Sequence, residues 1–258
     1  MIRNLETTDE NQRLTLINKF WSGKRVLITG GTAGLGRELA IQLQEYGSQV
    51  AVVARTKENL DQLKLDYPQI IIVQADIGDK NEIYKISGQV FAQLTEIDVL
   101  INNASSLGPT PLNLLLDTEC EDLEAVLQTN LLGPFRLIKA VLPSMILQEK
   151  GLIVNISSDA AINAYPNWGS YSVSKAALDH MTRIWQEELK GTGIRFLALD
   201  PGDMYTNMHL AAIPDANPND LYKASDVANS MIEFLALENS FPLVDVRLSG
   251  SSWRDYHE

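Results

Sequence analysis

Basic residues and cysteine are scarce in this chain. Lys and Arg together number 21 of 258 residues, against 33 Asp and Glu, and the formal net charge is −12. Nucleic acids and anionic membranes are themselves polyanions, so this balance argues against either as the main partner. The one cysteine, Cys120, cannot form a disulfide within the chain. We interpret it as a bystander in a reducing compartment and expect a cytoplasmic location.

Long apolar runs are also missing. No stretch of about 18 apolar residues is present, which is the length that a membrane-spanning helix requires, so no such helix is expected. Residues 1–18 are polar and lack the apolar centre of a signal peptide. No repeat, low-complexity tract or linker divides the sequence. We therefore expect one domain over residues 23–258, preceded by an extension, residues 1–22, that either docks as a short helix or stays mobile.

Strand and helix patterns alternate through that domain. Strands are predicted at residues 25–29, 49–54, 70–75, 99–102, 152–157, 194–199 and 243–248. Helices are predicted at residues 35–46, 57–66, 81–94, 119–148, 171–190 and 224–237, with Pro143 expected to kink or end the fourth. Most strand runs are continuously apolar, as in strands buried on both faces of a parallel sheet. The alternation predicts the α/β class: a three-layer, doubly wound parallel sheet with its ligand at the carboxyl ends of the strands.

A glycine-rich turn links the first predicted strand to the first predicted helix. It reads Thr29-Gly30-Gly31-Thr32-Ala33-Gly34-Leu35-Gly36. Glycines let the backbone approach a pyrophosphate closely, and the N-terminus of the following helix offers unpaired N–H donors to it. Glycine spacing in a strand–turn–helix context therefore predicts nucleotide binding, although an ordinary turn is the alternative.

Tyr171 and Lys175 form the second informative motif. They are four residues apart on a predicted helix, so the phenol and the ammonium share one face. A neighbouring cation favours the phenolate, and we expect the pKa of Tyr171 to fall below its usual value of about 10. A phenol tuned in this way exchanges a proton near neutral pH.

These motifs together resemble the short-chain dehydrogenase/reductase family in its compact single-domain branch, over about residues 24–248. The glycine turn is similar to the family's cofactor turn, and Tyr171-x-x-x-Lys175 to its catalytic pair. Further segments with family counterparts are Asp76-Ile77, Asn102-Asn103-Ala104, Asn130 and Pro201-Gly202-x-x-x-Thr206. After Ala104, this chain has Ser105 where the family has a glycine. The resemblance implies a Rossmann fold and an oxidoreductase that transfers hydride between a nicotinamide cofactor and a carbonyl or alcohol.

The resemblance also implies roles for four catalytic residues. Tyr171 would be the general acid/base, Lys175 would lower the pKa of the phenol and bind the nicotinamide ribose, and Asn130 would hold a proton-relaying water. Ser158 would bind the substrate oxygen where charge develops. Adjacent strand residues point in opposite directions, and composition alone leaves Ser157 open as the alternative. By alignment to Tyr171, the family pattern selects Ser158.

The end of the second predicted strand indicates which cofactor is used. NAD-preferring folds usually place a carboxylate there, whereas this chain has Ala54 and then Arg55. A guanidinium binds a 2′-phosphate, so we predict NADP(H), with Thr32 and Thr56 as further donors. Arg37 is either a second phosphate ligand or a solvated arginine. The full set predicted for the cofactor is Gly30, Thr32, Gly34, Leu35, Gly36, Arg55, Asp76, Ile77, Asn103, Ala104, Tyr171, Lys175, Pro201, Gly202 and Thr206.

The family's variable substrate lid corresponds to residues 203–222. Met204 and Met208 suggest an apolar, adaptable wall, while His209 either touches substrate or has a structural role. Tyr165 and Trp168 either form the opposite wall or pack internally. Together with Ser158, these are the predicted substrate residues. They carry no cluster of cations, which favours a neutral or weakly polar carbonyl compound over a multiply anionic one. An acidic carrier protein is disfavoured as a partner because the acidic surface of this chain would repel it.

Two rival functions, the expectation for metals and the predicted assembly remain. The fold does not by itself prove chemistry, so a redox-sensing regulatory protein that binds NADP without turnover is the first rival. An epimerase or a dehydratase is the second. No metal site is expected. In the family, the two long helices, here residues 119–148 and 171–190, often form the contact of a homodimer, which we therefore predict. A homotetramer is the alternative. The C-terminal segment that often builds a further subunit contact departs from the family pattern here, since Ser249-Gly250-Ser251 follows the last strand instead of Asp-Gly-Gly.

Overall fold

The structure is a computed structural model that describes residues 10–238, 246–249 and 253. Its centre is a seven-stranded sheet in the order β3-β2-β1-β4-β5-β6-β7, with every pairing parallel. The strands are β1 Arg25–Thr29, β2 Gln49–Ala54, β3 Ile71–Gln74, β4 Val99–Asn102, β5 Gly151–Ile156, β6 Ile194–Leu199 and β7 Arg247–Leu248. The doubly wound parallel sheet predicted from the sequence is confirmed. Residues 243–245 of the last predicted strand lie outside the described residues.

Helices cover both faces of the sheet. In the part of the chain that the structure describes, they are α1 Glu10–Trp21, α2 Gly34–Glu45, α3 Lys57–Asp66, α4 Ile83–Leu94, α5 Cys120–Leu127, α6 Gly133–Leu147, α7 Gly169–Glu188, α8 Asn207–Ala212 and α9 Ala224–Glu238. Adjacent residues of a strand pack into two separate hydrophobic clusters, one on each face of the sheet. Ile28 packs in the cluster that includes Leu39 and Met231, whereas Leu27 packs in the cluster that includes Ile86 and Leu137. Both faces being buried explains why the strands read as continuous apolar runs.

The first helix packs onto the domain. Ile17 and Trp21 of α1 are fully buried, and the indole Nε1 of Trp21 donates to the carbonyl oxygen of Ile232 in α9 at 3.0 Å. Arg13 forms an ion pair with Glu233 on the same helix. Of the two alternatives for the N-terminal extension, the docked helix is therefore the one observed for residues 10–21.

The long helical stretch Cys120–Leu147 was predicted as a single helix. It does not end at Pro143, and it contains a π-turn, Gln128–Leu132, between α5 and α6 that was not predicted. Among the described residues this stretch is long and apolar enough to cross a membrane, which the sequence pattern did not indicate. Length and composition are weak grounds, because a core helix passes the same test; here the side chains of Leu137, Val141 and Met145 are buried in the core beside the sheet.

Candidate active site

A cleft of about 760 Å³ opens at the carboxyl ends of the strands. Its floor is formed by the residues that directly follow β1, β4, β5 and β6. The strand order reverses between β1 and β4, and such a switch point is where doubly wound sheets bind ligands. The cleft is lined by every predicted site residue except Gly36 and Asn130, which lie behind its wall.

The glycine turn is held closely against the loop after β4. Gly30 has a φ of +67°, and a Cβ on it would lie 2.8 Å from the Cα of Ala104. A Cβ on Gly36 would lie 2.4 Å from both Nδ2 of Asn103 and the carbonyl oxygen of Gly30. Helix α2 begins at Gly34, and the preceding Ala33 provides no side-chain cap, so its first N–H groups face the cleft without a side-chain acceptor. This is the arrangement that suits a pyrophosphate.

Asn103 stabilises the turn from the neighbouring strand. Its Nδ2 donates to the carbonyl oxygens of Thr29 and Gly30 at 3.0 and 3.1 Å. In return, Oγ1 of Thr29 accepts from the backbone N–H groups of Asn103 and Ala104, both at 3.1 Å. The side chain predicted to touch the cofactor is thus also the one that fixes the shape of the turn.

At the end of β2, Arg55 and Asp76 face each other across the cleft wall. The guanidinium Nη1 lies 3.7 Å from Oδ2 of Asp76, and the two side chains are 68% and 40% exposed. An ion pair this exposed contributes little, so Arg55 can turn to a phosphate at small cost. Arg37 instead pairs with Glu38 and lies over the ring of Tyr67, and it does not line the cleft. The geometry favours the interpretation of Arg37 as a surface arginine.

Helix α7 carries Tyr171 and Lys175 on one face, as their spacing predicts. The Nζ of Lys175 lies 5.5 Å from the centre of the Tyr171 ring and donates to the carbonyl oxygen of Ile156 at 2.7 Å. Lys175 is buried with 2% of its surface exposed. Because β5 ends at Ile156, this hydrogen bond fixes the lysine beside the strand end that leads into Ser157 and Ser158.

The pKa of Tyr171 shifts against the expected direction, and that of Lys175 shifts as well. Burial raises the pKa of Tyr171 to about 12, the hydroxyls of Ser158 and Ser105 act to lower it, and the carboxylates of Asp200 and Asp159 add to the rise. Burial lowers the pKa of Lys175 to about 8. The expected fall of the Tyr171 pKa is therefore wrong for this structure, because burial outweighs the hydroxyls and Lys175 directs its hydrogen bond to Ile156. The group brought closest to neutral pH is the lysine.

The two candidate serines occupy different positions. The Oγ of Ser158 donates to Oδ1 of Asp159 at 3.1 Å, accepts from the N–H of Ala160 at 3.2 Å, and interacts with the phenol of Tyr171. Ser157 is 2% exposed, and its hydroxyl lies 3.5 Å from the carbonyl oxygen of Ser158. The geometry favours Ser158 as the serine that acts with Tyr171, and its catalytic role stays a prediction.

Asn130 lies in the π-turn, buried behind the cleft. Its Oδ1 accepts from the N–H of Ser106 at 2.7 Å, and its Nδ2 donates to the carbonyl oxygen of Ser106 at 2.8 Å and to Oγ of Ser174 at 2.9 Å. The amide therefore connects the loop after β4 to α7, one residue before Lys175. This connection had no signal in the sequence, because it depends on the π-turn. The role in holding a water stays a prediction.

The predicted substrate residues form the outer part of the cleft. Trp168 contacts Tyr171 edge to face with ring centres 5.7 Å apart, and the hydroxyl of Tyr165 donates to Oδ2 of Asp159 at 2.6 Å. On the lid, Thr206 caps α8 by accepting from the N–H of His209, whose Nδ1 lies 3.7 Å from Asp203. The lining residues that the sequence reasoning missed include Ser105, Leu107, Asp159, Asp200, Tyr205 and Ile213. Asp159 could have been found, since it directly follows Ser158.

The arrangement combines an anion cradle with an acid/base group. The phenol of Tyr171 has the hydroxyl of Ser158 beside it and a buried lysine one turn along the helix, and the cleft connects all three to the glycine turn. Over residues 10–238, 246–249 and 253, no group of three His, Cys, Asp or Glu side chains is placed to hold a metal ion. Proton exchange beside a bound nucleotide is the chemistry that these groups can perform.

Comparisons with known proteins agree with this geometry. The family model described as short chain dehydrogenase matches residues 24–217. A curated relative, the 3-oxoacyl-(acyl-carrier-protein) reductase FabG of Thermotoga maritima, is 36% identical over 195 residues, which cover 72% of this chain and 76% of that protein.

Two solved structures are similar over nearly the whole chain. Levodione reductase superposes with a TM-score of 0.79 at 26% identity, covering 90% of this chain and 98% of that one. A short chain dehydrogenase from Shigella flexneri 2a, complexed with NADP, superposes with a TM-score of 0.82 at 23% identity, covering 91% and 99%. At that lower identity the likeness shows the fold alone.

Proposed function

The chain belongs to the short-chain dehydrogenase family, and from this premise we propose that it is an NADP(H)-dependent reductase of carbonyl compounds, with Tyr171 as its general acid/base. The observation that carries the proposal is the meeting of three features in one cleft. These are the close-packed glycine turn, the exposed Arg55 at the end of β2, and the cluster of Ser158, Tyr171 and Lys175.

The glycine turn and its surroundings fit a dinucleotide. A Cβ at Gly30 or Gly36 would collide with neighbouring atoms, so the turn has the close backbone packing that a phosphate cradle needs. Arg55 would bind the 2′-phosphate, which supports NADP(H) over NAD(H). The residues that would hold the rest of the cofactor are those predicted from the sequence, among them Asp76, Ile77, Pro201, Gly202 and Thr206, all of which line the cleft.

The chain's own groups would manage the proton of the reaction. Bound NADPH supplies the hydride, and NADP accepts it in the reverse direction. In reduction, Tyr171 gives its proton to the carbonyl oxygen, and Ser158 donates a hydrogen bond to that oxygen as negative charge develops. Lys175, with its pKa lowered to about 8 by burial, is the group suited to return the proton to Tyr171 near neutral pH.

The outer cleft supports a small neutral or weakly polar carbonyl substrate. Leu107, Met204, Met208 and Trp168 provide apolar surface there. The curated relative FabG is named as a 3-oxoacyl-(acyl-carrier-protein) reductase. Such carriers are acidic, and the net charge of −12 together with Asp159 and Asp203 at the cleft disfavours them here. We further propose a cytoplasmic homodimer or homotetramer, with the long helices α5–α6 and α7 as its contact.

Turnover on a defined panel tests this function. Wild-type protein is mixed with NADPH or NADH and with aldehydes, ketones, diketones and a 3-oxoacyl thioester linked to acyl carrier protein, and cofactor oxidation is followed at 340 nm. The expected result is turnover of at least one free carbonyl compound, with NADPH preferred. NADPH binding without turnover of any compound would favour the rival redox-sensing protein, and preference for the carrier-linked thioester would overturn the substrate proposal.

A further inference from the structure

Behind the catalytic groups, Arg247 of β7 lies between two buried carboxylates. Its Nε donates to Oδ2 of Asp179 in α7 at 2.6 Å, and its Nη2 lies 3.7 Å from Oδ2 of Asp200 at the end of β6. The three side chains are 7%, 4% and 7% exposed. Three charges buried together are costly unless they neutralise one another, and the proposed reaction assigns no task to any of them.

This cluster touches the active site through the main chain of Ser158. The Nη2 of Arg247 also donates to the carbonyl oxygen of Ser158 at 3.0 Å. A planar guanidinium can hold a carboxylate and a carbonyl oxygen at once because its donors form a rigid fork. Arg247 thereby connects the last strand to the serine that interacts with the phenol of Tyr171.

The same carboxylates act on Lys175. Asp179 follows Lys175 by one helical turn, and both Asp179 and Asp200 raise the pKa of Lys175 against the lowering caused by burial. Asp200 also raises the pKa of Tyr171, as does Asp159 from the turn after β5. Lys175 and Arg247 are thus two cations that share two carboxylates. In a buried site such charges are weakly screened, so removing one cation changes the field at the other.

We propose that Arg247 is a positioning residue for the reduction: it fixes the main chain at Ser158 and offsets the charges of Asp179 and Asp200, the two carboxylates that it shares with Lys175. The inference rests on the proposed function for its catalytic consequence, but the charge sharing is a property of the protein itself. Oδ1 of Asp179 is buried and makes no hydrogen bond within the described residues, so the hydrogen bond that Arg247 donates to Oδ2 is the main polar contact of this carboxylate there.

Charge sharing predicts shifts of opposite sign for two substitutions. In Arg247→Met the carboxylates lose their second cation, so their attraction for the Lys175 ammonium grows and the pKa of Lys175 rises by about one pH unit. In Asp179→Asn one attracting charge is removed, and the pKa of Lys175 falls. The double variant lacks both charges and should titrate between the two. A purely structural role for Arg247 would not produce opposite signs.

The direct readout is the titration of Lys175 in protein without added cofactor. Lysine is labelled with ¹³C at Cε, the resonance of Lys175 is assigned with Lys175→Met, and spectra of wild type, Arg247→Met, Asp179→Asn and the double variant are recorded from pH 6 to 11. Opposite shifts support the proposal. Equal or absent shifts in folded variants overturn it. If Arg247→Met does not fold, the test rests on two other variants. Asp179→Asn must lower the pKa of Lys175, and Arg247→Lys must leave that pKa unchanged.

Kinetics test the catalytic consequence separately. With a carbonyl substrate found by the panel, Arg247→Met should lower kcat about tenfold at pH 7, equivalent to about 1.4 kcal/mol in the barrier, with little change in KM. Arg247→Lys should restore the wild-type dependence of kcat on pH more fully than the value of kcat itself. The reason is that lysine keeps the positive charge but lacks the planar fork of guanidinium donors. Absent turnover by the wild type would refute the reductase and leave the NMR result standing. Opposite NMR shifts with unchanged kcat would overturn the positioning role alone.

Discussion

The Nδ2 of Asn103 lies where a side chain on Gly36 would begin: a Cβ on this glycine would be 2.4 Å from that nitrogen. The same nitrogen donates to the carbonyl oxygens of Thr29 and Gly30, so it cannot move without breaking both hydrogen bonds. Gly36 does not line the cleft. A glycine at position 36 is therefore required by packing between α2 and the loop after β4, and we expect it to affect nucleotide binding only through the shape of the turn.

Gly36→Ala should destabilise the protein and weaken NADPH binding. Overpacking at a rigid contact costs about 1–3 kcal/mol, and displacement of Asn103 should weaken cofactor affinity about tenfold or more. Thermal unfolding and fluorescence titration with NADPH measure the two effects. The matched control is Gly88→Ala in the exposed part of α4, where a Cβ meets nothing within 4 Å and should stabilise the helix by about 0.5–1 kcal/mol. Equal behaviour of the two variants would contradict the packing account.

Arg55→Ala should lower the affinity for NADPH and leave that for NADH nearly unchanged. A hydrogen bond to a charged group contributes about 1.5–3 kcal/mol, which corresponds to roughly 10- to 100-fold in the dissociation constant. Lys57→Ala is the control, because Lys57 is an exposed cation two residues away that pairs with Asp61 and does not line the cleft. If Arg55→Ala lost a similar amount of affinity for NADPH and for NADH, the arginine would not be the group that binds the 2′-phosphate.

Substitution of the two adjacent serines decides between them. Ser158→Ala should reduce kcat about 10²- to 10³-fold, the usual effect of deleting a hydrogen-bond donor to a developing oxyanion. Ser157→Ala should leave kcat within about threefold of wild type, because its hydroxyl makes only a long contact with the carbonyl oxygen of Ser158. Steady-state kinetics at saturating NADPH measure both. The assignment would have to be reversed if Ser157→Ala gave the larger loss.

Buried ionisable groups predict how stability depends on pH. Burial lowers the pKa of Lys175 from 10.5 to about 8, which corresponds to roughly 3 kcal/mol against the folded state at lower pH. Between these values the unfolded chain binds more protons at this group, so the free energy of unfolding rises with pH. Tyr171, whose pKa is raised from 10 to about 12, acts oppositely: over that interval the folded chain binds more protons and stability falls.

Urea unfolding of three proteins from pH 7 to 11 checks this dependence. Relative to wild type, Lys175→Met should lack the rise that begins near pH 8, and Tyr171→Phe should lack the fall that begins near pH 10. Lys175→Met should also be the more stable protein at pH 7, since it removes the penalty for burying an ammonium. A rise of unchanged size in Lys175→Met would mean that another group causes it.

The sheet was predictable because the sequence of most of its strands is an uninterrupted run of apolar residues. Leu27 and Ile28 are both apolar since each meets a core on its own face, and that pattern fixes a buried parallel strand. The cleft followed from the same reasoning, as ligands bind where parallel strands end. The sequence left open whether Pro143 kinks or ends the long helix, and it gave no sign of the π-turn around Asn130, because both depend on tertiary packing.

The electrostatics of the site were harder to predict than its members. The spacing of Tyr171 and Lys175 gave their common face, but the pKa values depend on burial and on Asp159 and Asp200, which come from other elements. Likewise, no sequence pattern joins Arg247 to Asp179, because the pair forms only when β7 is added to the sheet. Contacts between residues distant in the chain are what local patterns leave undetermined.

The most direct test of the reductase account is a comparison of wild type with Tyr171→Phe. Both proteins are titrated with NADPH by fluorescence, and NADPH oxidation is then measured with the best carbonyl compound of the panel. The account predicts that the variant still binds NADPH and that its kcat falls about 10²-fold or more, because the phenylalanine lacks the proton that the carbonyl oxygen receives. Turnover by Tyr171→Phe at the wild-type rate would contradict the account.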